Sequence, residues 1–379
     1  MFLARIGLAA LAASGLYWSL RLAYADDLAS RGNPSDLRRA IALTPGNSVL
    51  WARLDSTAGY EQACRLQPWN SAALIRRGLD AELHGSVQNA EALLLEAVQV
   101  DRTFAPAWTL ANFYARQTGN RKVWAQVRAC LNVANRDPGP VFDLCWRVSE
   151  DAGVILRAVP PHSRGRYLAY LIDPKRHRSR PEAAGAVYAS LDPDAPRDAA
   201  VLLDYCDFLI ANNSVDAVAP WNAAGGQQLR PELGVSMING DLSSVPGGRG
   251  FDWHLPVQAG ILSSLFRSSA TMRFVFDGEQ QESAELFWQT LPLVSGRRYR
   301  FQFRFQTAGV AAASGLRWCV PGSCGQDLHG NEWSGGKLDF ETPIGQTLAR
   351  ISLHYKRAPG AMRLKGSLGI AKLSLSFRP

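Results

Sequence analysis

Few side chains in this chain are spaced so that they could do covalent chemistry. Cys319 and Cys324 flank the turn-forming stretch Val320-Pro321-Gly322-Ser323, after a strand-like Leu316-Arg317-Trp318. A reversal there would bring the two sulfurs within bonding range, so an oxidising compartment would give a disulfide. A zinc site is not expected, because the spacing is too wide and no second pair exists. Cys64, Cys130, Cys145 and Cys206 lie far apart among helical apolar positions and are expected to be small buried thiols. Acid–base hydrolysis needs two carboxylates held close with one desolvated, and only Glu282, Glu285 and Asp252 are candidates. No Gly-x-Ser-x-Gly, His-Glu-x-x-His, phosphate loop or dinucleotide fingerprint occurs, and Gly247-Gly248-Arg249-Gly250 reads as a turn. A non-catalytic chain is expected.

The elements that would carry these residues follow from size and composition. At 379 residues the chain exceeds what one core usually serves, and 47% apolar with 20% charged residues fits folded material. The net charge of +8 permits anionic partners without choosing among them. Nucleic acid is not an expected partner: there is no RNP-type strand, zinc-finger spacing or Arg/Lys-rich tract. The densest basic run, Lys175 to Arg180, reads as a solvated loop, with a contact to anionic glycan or lipid as the sharper alternative.

Residues 1–25 form the first segment. Arg5 precedes an uncharged run, Ile6 to Leu20, followed by Arg21, Ala23-Tyr24-Ala25 and Asp26-Asp27. This suits a signal peptide cleaved at Ala25. It equally suits a retained anchor, Phe2 to Leu22, with Tyr17 and Trp18 near the outer interface. Arg21 is awkward beside a cleavage site, and the helical pattern continues into Leu28. The expectation is therefore a single-pass anchor in a bacterial inner membrane, with the bulk extracytoplasmic. A secreted or periplasmic chain cleaved near Ala25 is the alternative.

Residues 26–228 read as helical. Ala42-Leu-Thr-Pro-Gly-Asn-Ser-Val-Leu-Trp51 reappears as Arg65-Leu-Gln-Pro-Trp-Asn-Ser-Ala-Ala-Leu74, and a shift of 34 residues carries Leu66 onto Val100 and Leu74 onto Trp108. The unit from Asn70 to Arg102 has Leu74, Gly78, Leu79 and Ala81 on a first helix and Ala90, Leu94 and Ala97 on a second. This half resembles the tetratricopeptide-repeat (TPR) family. The first unit, Pro45 to Pro68, must be shortened, and beyond Pro138 the pairs lose the motif. Trp51, Trp69, Trp108 and Trp124 are expected in the core. The resemblance implies a groove that takes a protein partner.

At 232–379 the period changes to two. Tyr299, Phe301, Phe303 and Phe305 alternate with Arg298, Arg300, Gln302, Arg304 and Gln306, and Ala349 to Lys356 repeats the pattern. Short runs with Gly, Pro and Ser turns predict an antiparallel sandwich. Ile238-Asn-Gly-Asp241 with Phe251-Asp-Trp253, Leu293-Val-Ser-Gly296 before Tyr299, and the closing Leu368 to Leu375 together resemble jelly-roll carbohydrate-binding modules. Met237 to Leu242 is then the first strand. The usual Asp of the closing strand is Ala371 here.

That resemblance implies sugars stacked on aromatic rings, with hydroxyls met by fixed polar groups. Candidates are Trp253, His254, Trp333, Arg300, Arg304 and His354, with Arg300 and Arg304 expected to share a polar surface with His354 and Arg350. Trp288 and Trp318 are expected in the core. Structural calcium occurs in the resembling modules, and Asp241 is the single candidate ligand; no other cofactor is expected. The whole is expected to be a multidomain α+β chain, a TPR-like α-helical solenoid followed by a jelly-roll β-sandwich. Its expected role is a non-catalytic scaffold joining a protein partner and a glycan, in envelope or exopolysaccharide assembly. A purely structural interaction module is the alternative.

Overall fold

A computed structural model of the chain describes residues 2–117, 121–134, 136–176, 180–191 and 198–378, with side chains from residue 6 onward. It divides into two compact units, residues 1–170 with 175–191, and residues 171–174 with 192–379.

The first unit is helical. The elements are α1 (Phe2–Ser30), α2 (Pro34–Leu43), α3 (Ser48–Arg53), α4 (Thr57–Leu66), α5 (Ser71–Leu83), α6 (Val87–Val100), α7 (Phe104–Arg116) and α8 (Val123–Val133). They pack as successive pairs, α1 on α2, α3 on α4, α5 on α6 and α7 on α8. Further helices follow: α9 (Gly139–Val148), α10 (Ala152–Ala158), α11 (Arg164–Ile172) and α12 (Ala184–Ala189).

The repeated Pro-x-Asn-Ser segment has a local reason. The Asn47 side chain accepts from the Val49 N–H to start α3, and Asn70 accepts from Ala73 to start α5. Each Pro thus ends one helix just before an Asn begins the next. Within the best-formed pair, a Cβ at Gly78 would lie 2.9 Å from Leu94, so glycine is what lets α5 and α6 close. The six-residue α3 is the predicted shortening.

One expectation fails in this unit. Trp69 is 68% exposed, because it sits in the turn between α4 and α5 rather than on a helix. Of the basic run, residues 177–179 lie outside the described residues; Arg176 pairs with Asp137 at 2.7 Å and Arg180 lies over the Trp146 ring.

The apolar α1 is long enough to cross a membrane by length and composition. Its last turns belong to the fold. Ala25, Leu28 and Ala29 are buried against Leu37, Ala40, Ile41 and Leu50, Arg21 Nε donates to the Leu43 carbonyl at 2.8 Å, and Arg53 donates to the Ala29 carbonyl at 2.7 Å.

The second unit holds α13 (Ala199–Ala211), α14 (Val218–Ala223) and two antiparallel sheets. The change of periodicity put the border at 228–232, but Cys206 and Trp221 of these helices share a core with Ile238, Phe251 and Leu348. Arg249 reinforces that contact through Asp204 and Asp207. Burial pushes the Cys206 thiol up to about 12, as it does Cys130 and Cys145, which leaves all three unreactive.

The strands are β1 (Ile261–Phe266), β2 (Thr271–Asp277), β3 (Ser283–Pro292), β4 (Arg298–Ala308), β5 (Leu316–Val320), β6 (Ser323–Cys324), β7 (Ser334–Glu341), β8 (Leu348–Lys356) and β9 (Lys365–Phe377). One sheet has the order β1-β2-β9-β4-β7 and the other β3-β8-β5-β6. Tyr299, Phe301, Phe303 and Phe305 face inward as their alternation requires, meeting Phe274, Phe287 and Trp318. Cys319 and Cys324 form a disulfide across β5 and β6.

Met237 to Leu242 is not the first strand. Asn239 and Leu242 adopt left-handed backbone, φ 49° and 55°, which breaks an extended run. The Asn239 amide instead grips both the N–H and C=O of Ser244, closing a loop.

Candidate functional site

The six candidate residues do not form one site. Trp253 is completely buried, stacked on Phe287 with centroids 4.3 Å apart and edge-on to Trp318. No sugar can reach it: Phe251 and Trp253 are both core residues, which turns the Phe-Asp-Trp segment inward. His254 lies flat on Trp288 at 3.6 Å, while the Arg350 guanidinium sits 3.8 Å from the same ring. Two groups at those distances cannot share one face, so both faces of Trp288 are taken. Burial holds the His254 imidazole below its ordinary pKa and keeps it neutral.

His354 stands on β8 and Arg300 and Arg304 on β4, in opposite sheets. The expected shared surface of Arg300, Arg304, Arg350 and His354 therefore does not exist. On the β8 side, Ser352, His354 and Glu285 do come together. The Ser352 hydroxyl is 2.7 Å from His354 Nε2, and Glu285 Oε1 is 3.6 Å from that same nitrogen. A hydrolytic relay needs the acid and the hydroxyl on different ring nitrogens. This trio cannot orient the imidazole while the hydroxyl is activated, and Ser352 is itself buried.

Asp241 accepts from the Ser243 amide and hydroxyl, closing its own turn. It lines a polar hollow of about 720 Å³ with Asn239, Ser244 and Asp252. Among the described residues no group of three or more His, Cys, Asp or Glu side chains is arranged to hold a metal ion.

The remaining candidates, Trp333 and Arg304, meet on the outward face of the five-stranded sheet. Residues directly opposite in an antiparallel pair share a face. Arg300, Arg304, Gln306 and Ala308 of β4 therefore put Ser376, Ala371, Gly369 and Ser367 of β9 on the outward face, and Ser374 joins them opposite Gln302. Ser367, Gly369 and Ala371 are none larger than serine, so this half of the middle strand is a trough between β2 and β4, ending at the exposed Lys372. A bulge at Lys372, φ 53°, interrupts the row, and Ser374 and Ser376 beyond it face outward without β2 alongside.

The trough opens into a hollow of about 420 Å³ walled by Phe266, Thr271, Arg273, Gln306 and Trp333, with Gly369 beneath. Trp333 is 38% and Phe266 45% exposed. The indole tip lies above Gly369, where a Cβ would sit 3.4 Å from its Cη2, and Arg304 lies 5.8 Å from the ring centroid. The segment carrying Trp333 is fastened from below. Gln306 donates to the Asn331 carbonyl at 2.7 Å, Thr307 exchanges hydrogen bonds with Gly330, and Leu328 plugs the core.

Phe266, Arg273, Gln306 and Gly369 are residues that sequence reasoning missed. The alternation of Thr271 to Phe276 marks Arg273 as outward, but only the register of β2 on β9 brings it beside Gly369.

Arg300 lies farther along the same face, clamped by both carboxylate oxygens of Asp339 at 2.7 and 3.0 Å. That contact holds the Asp339 carboxyl below its usual range.

No family model matches this chain, and no curated protein matches it. Among solved structures, the sandwich half is similar to a carbohydrate-binding module described under "CBM4 structure and function" (13% identity, TM-score 0.31, 38% of this chain and all of that one). The helical half is similar to the TPR protein YrrB (10% identity, TM-score 0.26, 50% and 90%) and to Pseudomonas aeruginosa PilF (17% identity, TM-score 0.24, 55% and 87%). The chain has a half of paired helices and an antiparallel β-sandwich half.

Proposed function

We propose that this chain is a non-catalytic, membrane-tethered binding protein. The trough beside Trp333 takes carbohydrate and the helical pairs take a protein partner. The observation that carries the carbohydrate reading is the exposed, fastened indole above a glycine floor. A pyranose presents C–H faces that bury well on flat rings, and Gln306 and Thr271 offer fixed polar groups at the edge.

Tethering is supported by α1. Its exposed part, Ile6 to Tyr24, extends about 28 Å, close to the hydrocarbon thickness of a bilayer. Tyr17, Trp18 and Tyr24 lie toward the end of that run nearest the buried turns, where a bilayer interface would meet them. An envelope setting, in the making or export of polysaccharide, fits this combination.

The test is binding of the detergent-solubilised full chain to a panel of neutral and acidic polysaccharides. Trp333→Ala is expected to weaken retention by about tenfold or more, the loss of one anchoring aromatic contact. No binding to any glycan leaves the sandwich a structural interaction module.

A further inference from the structure

The arginines of the five-stranded sheet divide in a way that points to the charge of the ligand. The register of β4 on β7 sets Arg298 opposite Glu341, Arg300 opposite Asp339, Gln302 opposite Lys337 and Arg304 opposite Gly335. Two arginines therefore have acids across from them and are paired, at 3.2 and 2.7 Å. Asp339 also receives Arg378 at 2.6 Å. Arg304 faces a residue with no side chain, and among the described residues it makes no ion pair. Its guanidinium instead rests against the Trp333 ring and the Trp333 carbonyl.

Arg273 is in the same position from the other bank. Its neighbours across the ladder are Ser264 on β1 and Gly369 on β9, and it too has no ion pair among the described residues. The acid in the same β2 row, Asp277, lies four residues from Arg273 opposite Lys365 and accepts from the Glu279 amide, and Glu285 and Glu282 pair with Arg350 and Arg357 elsewhere on the sandwich. The acidic neighbour of the indole, Glu332, is not among the residues walling the hollow. Of the two uncompensated guanidiniums, Arg273 walls the hollow beside Gly369, and Arg304 lies outside its lining, opposite Ala371 and against the Trp333 ring.

We infer that the ligand of this trough is an acidic glycan whose sugars carry carboxylates, that is, a uronate polysaccharide. The inference rests on the carbohydrate reading of the same trough. A guanidinium offers a planar fork that matches a carboxylate with two parallel N–H···O bonds. Uronate sugars combine the C–H face that Trp333 needs with the carboxylate that Arg273 and Arg304 lack. An aromatic ring among cations also suits single-stranded nucleic acid, through base stacking and phosphate contacts, so that polymer belongs in the test.

The experiment compares three polymers on the full chain: polygalacturonate, the same polymer with its carboxyl groups reduced to alcohols, and oligothymidylate. Polygalacturonate is expected to bind at least tenfold more tightly than the reduced form, with affinity falling as salt rises. Arg273→Gln and Arg304→Gln each cut that preference severalfold, and the double variant removes most of it. Arg300→Gln, in the same β4 row but beyond the hollow and already paired with Asp339, keeps the preference and reports on folding. Equal binding of the two galacturonan forms overturns the inference while leaving the carbohydrate reading intact. Loss of both forms in Trp333→Ala, with no charge preference in the parent, overturns it in the same way. Binding of neither form overturns the inference, with the polysaccharide panel deciding the carbohydrate reading separately, and tighter binding of oligothymidylate overturns both.

Discussion

Single residues decide which rings this protein offers to solvent. Trp253, Trp288, Trp318 and Trp333 have the same chemistry but different surroundings. Two are walled into the core, one is covered on both faces, and one overhangs a glycine. His254 shows how burial converts into pH dependence. Its imidazole titrates below the ordinary 6.5 in the fold, because its charged form would be desolvated on Trp288. The unfolded chain therefore takes up this proton first as the pH falls through about 6.5, and stability drops from there toward the folded pKa. In His254→Gln, thermal melts at about pH 7.5 and pH 5.5 are expected to differ less than in the parent. An unchanged difference would mean that another group governs the acid side. In the sequence, Trp253 and His254 hold the same promise as Trp333, since a Gly- and Pro-rich neighbourhood looks alike whether its aromatics turn in or out.

At the scale of elements, β4 was fully legible: strict alternation of aromatics with Arg and Gln specifies a strand with one buried face. Its partners were not. Nothing local says that β4 lies between β7 and β9 while β8 joins the opposite sheet, so the expected Arg and His surface dissolved into two. The trough is a pairing property in the same sense, because Ser367, Gly369 and Ala371 of β9 become a channel only beside the longer side chains of β2 and β4. Position 369 tests it. An Ala there meets Thr271 and Trp333 at 3.4 Å, a tight but workable contact, whereas Leu would fill the floor. Gly369→Ala is expected to retain most glycan binding, and Gly369→Leu to lose about tenfold or more, with circular dichroism unchanged in both. Equal binding by the Leu variant would remove the trough from the site.

At the scale of the molecule, the change from period 3.6 to period 2 located the two kinds of architecture but not the seam between compact units. Helices α13 and α14 obey a helical period and yet bury Cys206 and Trp221 with residues of the sandwich unit. Periodicity reports the element, and only long-range packing reports its allegiance. The same distinction applies at the N-terminus, where one helix carries both an exposed apolar length and a buried end. Removal of residues up to Ala25 would take away Arg21 and part of the wall over Leu37 and Ile41. Fractionation is therefore expected to recover the chain in the membrane pellet with α1 intact by mass, and deletion of residues 1–30 to lower the melting temperature more than deletion of 1–20. A soluble chain beginning at Asp26 would defeat the tethering proposal.

The β9 trough also bears on how such a site is kept or lost over generations. It is specified by what its residues lack, so a bulky substitution at Ser367, Gly369 or Ala371 closes it without disturbing the ladder hydrogen bonds beneath. Folding exerts little selection on the more exposed of those positions, and the proposed binding would exert a great deal. Drift toward bulk along that one row would leave a well-folded sandwich with an intact Trp333 and no room beside it.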